Sequence, residues 1–189
     1  MRRLLILSSL LVSFFAAQAF SAPQVPRKAA EFVVNMIDGQ QKLLSSLRGK
    51  TVVAAFMFTT CPHCKKTAGV LSKVQDEYGA KGVQVVGVTF DQGAQARVTG
   101  FIQETGANFP VGYSTQGQVL EFLQVPQTEP YFVPILVFID KTGMVRGEYV
   151  GDEKFLAQQE VNIRAEIDKM LHGSAAPAPA AKAAAPAKK

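Results

Sequence analysis

The chain has 189 residues, of which 48% are hydrophobic, so it is long and apolar enough for one packed domain with terminal extensions. Its formal net charge is +5, but five basic residues lie near the two ends of the chain: Arg2, Arg3, Lys182, Lys188 and Lys189. The 15 acidic residues balance the other basic ones, so we expect no clustered positive surface and no nucleic-acid partner.

Residues 1–19 have the pattern of a secretory signal peptide. Arg2 and Arg3 give a charged start, an apolar run follows from Leu4 to Phe15, and Ala17-Gln18-Ala19 matches a small-x-small cleavage site. The run is shorter than the roughly 20 residues of a membrane-spanning helix, which favours cleavage over an uncleaved anchor. We therefore expect an exported, periplasmic protein whose mature chain has no membrane span.

Three zones follow the predicted signal peptide. Residues 20–30 form a short leader, and residues 31–172 carry the periodic hydrophobicity of a folded domain. Residues 173–189 are almost entirely Ala, Pro and Lys. Such a segment buries too little apolar surface to offset the entropy lost on ordering, so we predict a disordered tail.

Strands and helices are predicted to alternate within the domain. In chain order they are strands at Glu31–Ile37 and Thr51–Phe58, a helix from the cysteine pair to Gly79, a strand at Val83–Phe90, a helix at Ala94–Glu104, a strand at Phe109–Tyr113, a short helix at Gln118–Leu123, strands at Ile135–Ile139 and Met144–Val150, and a helix from Asp152 to Leu171. This order predicts an α/β domain with a mixed central β-sheet flanked by helices.

The two cysteines of the chain, Cys61 and Cys64, begin the first predicted helix. Pro62 fits the first helical position, where the missing N–H costs no hydrogen bond, and this puts Cys61 at the N-cap. Unpaired N–H groups and the helix dipole stabilise a thiolate there. We therefore predict that Cys61 is the nucleophile of thiol–disulfide exchange and that Cys64 resolves the mixed disulfide. His63 is predicted to tune the thiolate by its N–H and, when protonated, its charge.

Other roles for the cysteine pair are less favoured. A structural zinc site needs four ligands, and the chain offers two cysteines plus His63 and His172. A purely structural disulfide across so small a loop would stabilise the fold little. We expect no metal and no other cofactor.

The segment TVVAAFMF, the motif CPHC directly after it and the segment VPILVFIDKTG about 70 residues later resemble a known family. These are the exported thioredoxin-like oxidoreductases of the TlpA/ResA type, within the AhpC/TSA-related group, and the resemblance covers residues 27–171. It implies a thioredoxin-like fold and disulfide exchange with exported client proteins, with a redox partner for regeneration. It also implies that Pro134 is the family's cis-proline and that Val133-Pro134 helps to dock the extended substrate opposite the cysteines.

The sequence departs from this family's pattern around the cysteines. Thr60 stands where the family commonly has Trp, and the chain contains no Trp. The positions at which related proteins carry a buried acid align with Ala55 and Thr67, so no obvious proton acceptor is expected for Cys64. The dipeptide Pro-His between the cysteines instead resembles the strongly oxidising DsbA type. A reduction potential between those of thioredoxin and DsbA is therefore predicted.

Two functions of other classes remain alternatives. A Sco-type copper chaperone uses CxxxC and a distal His, whereas the spacing here is shorter and His172 is the spare histidine. A peroxiredoxin-like peroxidase carries P-x-x-x-T/S-x-x-C, and this chain has Ala54 and Phe58 at the first two of those fixed positions. Disulfide exchange fits the sequence better than either.

We predict that deleting residues 173–189 leaves folding and exchange unchanged, because their composition gives them no part in a core. Thermal unfolding and the rate of insulin reduction, measured for the full and the shortened chain, test this. A fall in the unfolding midpoint of about 2–4 °C, the change that about 1 kcal/mol produces in a domain of this size, would contradict it.

Overall fold

The structure is a computed structural model, and it describes residues 24–173. The predicted signal peptide, residues 1–19, lies outside the described residues. The predicted tail also lies outside them, except for Gly173 at its start.

One eight-stranded sheet and five α-helices form most of the regular structure of the described residues. The strands are β1 (Arg27–Lys28), β2 (Val33–Asn35), β3 (Gln41–Leu43), β4 (Thr51–Met57), β5 (Val83–Thr89), β6 (Val111–Tyr113), β7 (Ile135–Ile139) and β8 (Met144–Val150). The helices are α1 (Pro62–Tyr78), α2 (Ala94–Thr105), α3 (Gln116–Leu123), α4 (Glu153–Ala157) and α5 (Gln159–His172). Two short 3-10 helices cover Leu44–Leu47 and Gly79–Lys81.

The sheet is mixed, as the sequence predicts. Its strand order is β1-β8-β7-β4-β5-β6-β2-β3. The central strand β4 runs parallel to β5 and antiparallel to β7, and β7 and β8 form the predicted antiparallel pair. Because β4 and β5 are parallel, both strands end at the same edge of the sheet, and this edge carries the cysteines.

Strand β4 lies at the centre of two hydrophobic layers. All seven of its residues are buried, which agrees with its unbroken apolar sequence. Val53, Ala55 and Met57 pack in the layer that contains Cys64, together with α1 and α5. Alternate residues, including Ala54 and Phe56, pack in the opposite layer with α3. The end of β4 is therefore held from both sides, and so is the start of the loop that leads to Cys61.

Helix α1 buries one face against the sheet. Its buried residues include Ala68, Leu71, Val74 and Tyr78, which recur at helical spacing. The chain turns after the helix through Gly82, whose positive φ of 89° suits glycine. The packed face fixes the rotation of α1 and so fixes which way its first turn, with the cysteines, points.

The described fold begins earlier than the predicted domain start at residue 31. Arg27 and Lys28, in the predicted leader, form β1 and pair with β8. Arg27 Nη2 lies 2.6 Å from Glu148 Oε2 on β8, and both side chains are largely buried. A two-residue strand has no hydrophobic periodicity, so the sequence pattern could not indicate it.

Other differences between the predicted and the observed helices and strands have local causes. The predicted helix from Asp152 to Leu171 is two helices, because Gln158 leaves the helical conformation with φ −124° and ψ 41°. The strand predicted at Phe109–Tyr113 starts only at Val111, since Pro110 has no N–H to pair. The strand predicted at Glu31–Ile37 is shortened to β2, which turns back into the unpredicted β3.

Candidate functional site: a dithiol at a helix N-terminus

Cys61 occupies the N-cap of α1, as the sequence predicts. Its backbone is extended, with φ −82° and ψ 121°, and Pro62 is the first helical residue. The backbone N–H of Cys64 donates a hydrogen bond to Cys61 Sγ over 3.4 Å. The sulfur therefore receives one of the N–H groups that a helix start leaves unpaired, and it lies at the positive end of the helix dipole.

Cys64 lies behind Cys61 in the hydrophobic layer. Its side chain is fully buried, whereas Cys61 is partly exposed. Burial raises the pKa of the Cys64 thiol, an effect that the hydrogen bond from the Phe58 N–H to Cys64 Sγ, 3.4 Å long, only partly offsets. The two thiols thus differ in access, and the buried one holds its proton more tightly than an ordinary thiol does.

The loop before β7 approaches the exposed thiol. The Val133–Pro134 peptide bond is cis, as the resemblance implies. The Cys61 Sγ lies 4.0 Å from the Val133 carbonyl oxygen, and Pro134 itself is buried. The fold therefore brings together two segments that are about 70 residues apart in the chain.

His63 is exposed on the first turn of α1, beside the exposed Pro62. Its tuning role is not tested by its position and stays a prediction. Ala55 and Thr67 occupy the two positions at which related proteins carry an acid, and neither side chain is charged. Ala55 is buried in the layer with Cys64, and Thr67 Oγ1 donates a hydrogen bond of 2.7 Å to Gln159 Oε1 on α5.

A carboxylate that the sequence reasoning missed lies at this edge. Asp91 follows β5, and its Oδ1 accepts a hydrogen bond of 2.8 Å from the backbone N–H of Thr59, which follows β4. Burial alone would raise the pKa of Asp91, but hydrogen bonds from Thr59 and Arg97 outweigh it and hold the pKa below its usual value. Positions 55 and 67 carry no acid, as expected, and Asp91 is a further carboxylate at the same edge of the sheet. The signal was available, because the carboxyl ends of neighbouring parallel strands meet at one edge.

Aromatic side chains line the loops around the site. Phe58 packs against Phe90 and Tyr131, with ring centroids 4.7 Å and 6.3 Å away. The neighbouring Phe132 is 72% exposed. Aromatic surface is thus present at the site although the chain has no Trp.

Comparison with solved structures identifies the fold. A thiol:disulfide interchange protein of the thioredoxin family from Chlorobium tepidum superposes with a TM-score of 0.65 at 23% identity, covering 79% of this chain and 99% of that one. A secreted disulfide oxidoreductase of Mycobacterium tuberculosis gives a TM-score of 0.57 at 21% identity over 71% of this chain and 95% of its own. The fold is thioredoxin-like.

Comparison of sequences gives the family. The model of the AhpC/TSA family matches residues 25–148. The thiol-disulfide oxidoreductase ResA of Bacillus thuringiensis is 29% identical over 154 residues, which cover 79% of this chain and 85% of the relative. ResA of Bacillus subtilis is 34% identical over 97 residues, which cover 51% of this chain and 54% of the relative. The chain belongs to the AhpC/TSA family and is a thiol–disulfide oxidoreductase of the TlpA/ResA type.

Between residues 24 and 173, no three or more His, Cys, Asp and Glu side chains lie close enough together to hold a metal ion. Within the same range, none of the helices has the length and apolar character needed to cross a membrane.

We predict that iodoacetamide modifies Cys61 of the reduced, folded protein more than about tenfold faster than Cys64 at pH 7, because alkylation needs an accessible thiolate. Cys64 is buried, and its raised pKa keeps it protonated. Mass spectrometry of Cys61→Ala and Cys64→Ala, before and after unfolding in urea, measures each thiol alone. Equal rates in the two folded variants would contradict the prediction.

Proposed function

We propose that this protein is an exported enzyme that exchanges the Cys61–Cys64 dithiol or disulfide with client proteins through a mixed disulfide. The observation that carries the proposal is the unequal placement of the two sulfurs. Cys61 is partly exposed and receives a helix N–H, while Cys64 is buried directly behind it.

In the reducing direction, the Cys61 thiolate attacks one sulfur of a client disulfide. The client's other sulfur leaves as a thiolate and takes up a proton, which leaves client and enzyme joined through Cys61. Cys64 then gives up its proton and attacks Cys61 Sγ, so the second client sulfur leaves as a thiol. Two electrons have passed to the client, and the enzyme holds a Cys61–Cys64 disulfide. The same steps reversed oxidise a client dithiol, and a redox partner restores the starting state.

The Val133 backbone is suited to hold the client during these steps. Its carbonyl oxygen lies 4.0 Å from Cys61 Sγ, so an extended client segment bonded to Val133 would present its cysteine to that sulfur. A backbone contact of this kind does not depend on the client's side chains, which fits an enzyme with several substrates. Val133 and Pro134 are accordingly proposed as docking residues.

Export is proposed from the signal-like pattern of residues 1–19. An oxidising compartment such as the periplasm is where disulfides of client proteins form and persist, so the proposed location agrees with the proposed reaction.

The mixed disulfide provides a direct test. We predict that Cys64→Ser accumulates a covalent complex with a disulfide-bonded substrate such as insulin, because the serine hydroxyl of this variant cannot displace the client from Cys61. Mass spectrometry after acid quenching should locate the trapped peptide on Cys61, and reduction should release it. The matched variant Cys61→Ser should trap no peptide, and a client attached to Cys64 in that variant would overturn the assignment of roles.

The direction of exchange depends on the reduction potential. We predict a value between about −270 mV and −120 mV, the potentials of thioredoxin and DsbA, because His63 favours the thiolate of the reduced form. A glutathione redox titration measures it for the wild type and for His63→Ala, which should be the more reducing of the two. His172→Ala, which changes the histidine that ends α5, is the matched control. A wild-type potential at or below about −270 mV would instead identify a reductant.

A further inference from the structure

Thr59, Asp91 and Arg97 form a hydrogen-bonded ring beside the loop that leads to Cys61. We propose that Asp91, opposed by Arg97, is a positioning residue that lowers the reduction potential of the Cys61–Cys64 pair and holds its loop through Thr59. This inference rests on the proposed exchange of disulfides and assigns residues that set its energy.

The ring continues the sheet past the ends of β4 and β5. Met57 and Thr89 are the last paired residues, and the Phe90 N–H still donates to the Met57 carbonyl. The next bond is made by a side chain, because the Asp91 carboxylate accepts from the Thr59 N–H at 2.8 Å and from the Thr59 hydroxyl at 2.7 Å. The loop after β4 is thus fixed by two bonds to a single carboxylate.

Arg97, on α2, closes the ring. Its Nη2 donates to Asp91 Oδ2 at 2.6 Å, and its Nε donates to Thr59 Oγ1 at 2.9 Å. The Asp91 side chain is 10% exposed and that of Arg97 is 45% exposed. The negative charge therefore lies deeper in the protein than the positive charge that opposes it.

Thr59 in the ring directly follows Phe58, whose backbone groups form hydrogen bonds with both cysteines. Phe58, which precedes Thr59, donates its N–H to Cys64 Sγ and accepts a bond of 3.3 Å from the Cys61 N–H. A shift of Thr59 would therefore displace both groups. Thr59 itself is 5% exposed, so the anchor is shielded from competing water.

The Asp91 charge also acts on the dithiol directly. A negative charge near a sulfur disfavours the thiolate and so destabilises the reduced form relative to the uncharged disulfide. Burial keeps Cys64 protonated, so at neutral pH this effect acts through the thiolate of Cys61. The Asp91 carboxylate is hydrogen-bonded to Thr59, two residues before Cys61, which brings its charge close to the segment that carries this sulfur. Arg97, which donates to the same carboxylate, carries the opposite charge and has the opposite effect.

A cluster of the same three residue types, centred on Asp140, lies at the opposite end of β4. Asp140, after β7, accepts from the N–H and hydroxyl of Thr142 at 2.9 Å and 2.6 Å, and from Arg146 Nε at 2.6 Å. Because β7 is antiparallel to β4, Asp140 lies beside the start of β4 rather than its end. Asp140, Thr142 and Arg146 are thus the same residue types as Asp91, Thr59 and Arg97, but they lie at the end of β4 away from the cysteines.

The experiment compares Asp91→Asn, Arg97→Gln and Asp140→Asn in a glutathione redox titration, with thermal unfolding of each. Asp91→Asn should shift the exchange equilibrium with glutathione about threefold towards the reduced enzyme. For a two-electron couple, this raises the reduction potential by about 14 mV. Arg97→Gln should shift it in the opposite direction, because the carboxylate is then unopposed. Asp140→Asn should leave the equilibrium unchanged whatever it does to stability. Shifts of the same sign at Asp91 and Arg97, or none, would overturn the proposal.

A second pair of variants tests the anchoring through Thr59. Thr59→Ser keeps the hydroxyl and should keep the wild-type exchange rate, whereas Thr59→Val loses both hydroxyl bonds and should be several-fold slower. Equal rates for the two would contradict the anchoring role. A wild-type protein that exchanges no disulfide would refute the proposed function itself, and a normal wild type with unshifted variants would refute only this inference.

Discussion

The parallel pairing of β4 with β5 is the constraint on which the site depends. Both strands are buried, and their register runs from Thr51 opposite Val83 to Met57 opposite Thr89. The register makes both strands end at one edge, so the residues after them face each other. The loop from β4 carries the dithiol, and the loop from β5 carries Asp91. Any change in register would separate the carboxylate from the cysteines while leaving each strand intact.

At this edge of the sheet, each of the two sulfurs accepts a hydrogen bond from a backbone N–H. The Cys64 N–H donates to the Cys61 sulfur, and the Phe58 N–H donates to the Cys64 sulfur. The difference between the thiols comes from burial, since the Cys61 side chain reaches solvent and the Cys64 side chain is enclosed by α1 and β4. The two sulfurs thus have similar backbone contacts, and burial is what sets them apart.

Sequence patterns were sufficient where a feature is local. Pro62 after Cys61 predicts the N-cap because proline suits the first helical position, and the unbroken apolar run of β4 predicts a strand buried on both faces. The link between Asp91 and Thr59 was missed because the residues are 32 positions apart and meet only through strand pairing. Strand β1 was missed for a related reason, since it forms only by pairing with β8, which lies near the other end of the domain sequence.

The outermost strands of the sheet limit how another polypeptide can pair with this protein. Strands β1 and β3 are two and three residues long, and each carries a lysine, Lys28 and Lys42. Short, charged edges are poor templates for pairing with another polypeptide and so resist aggregation. An unfolded chain that contacts this protein therefore finds little exposed strand edge with which to form β-sheet hydrogen bonds. Without such bonds, the two chains can dissociate again.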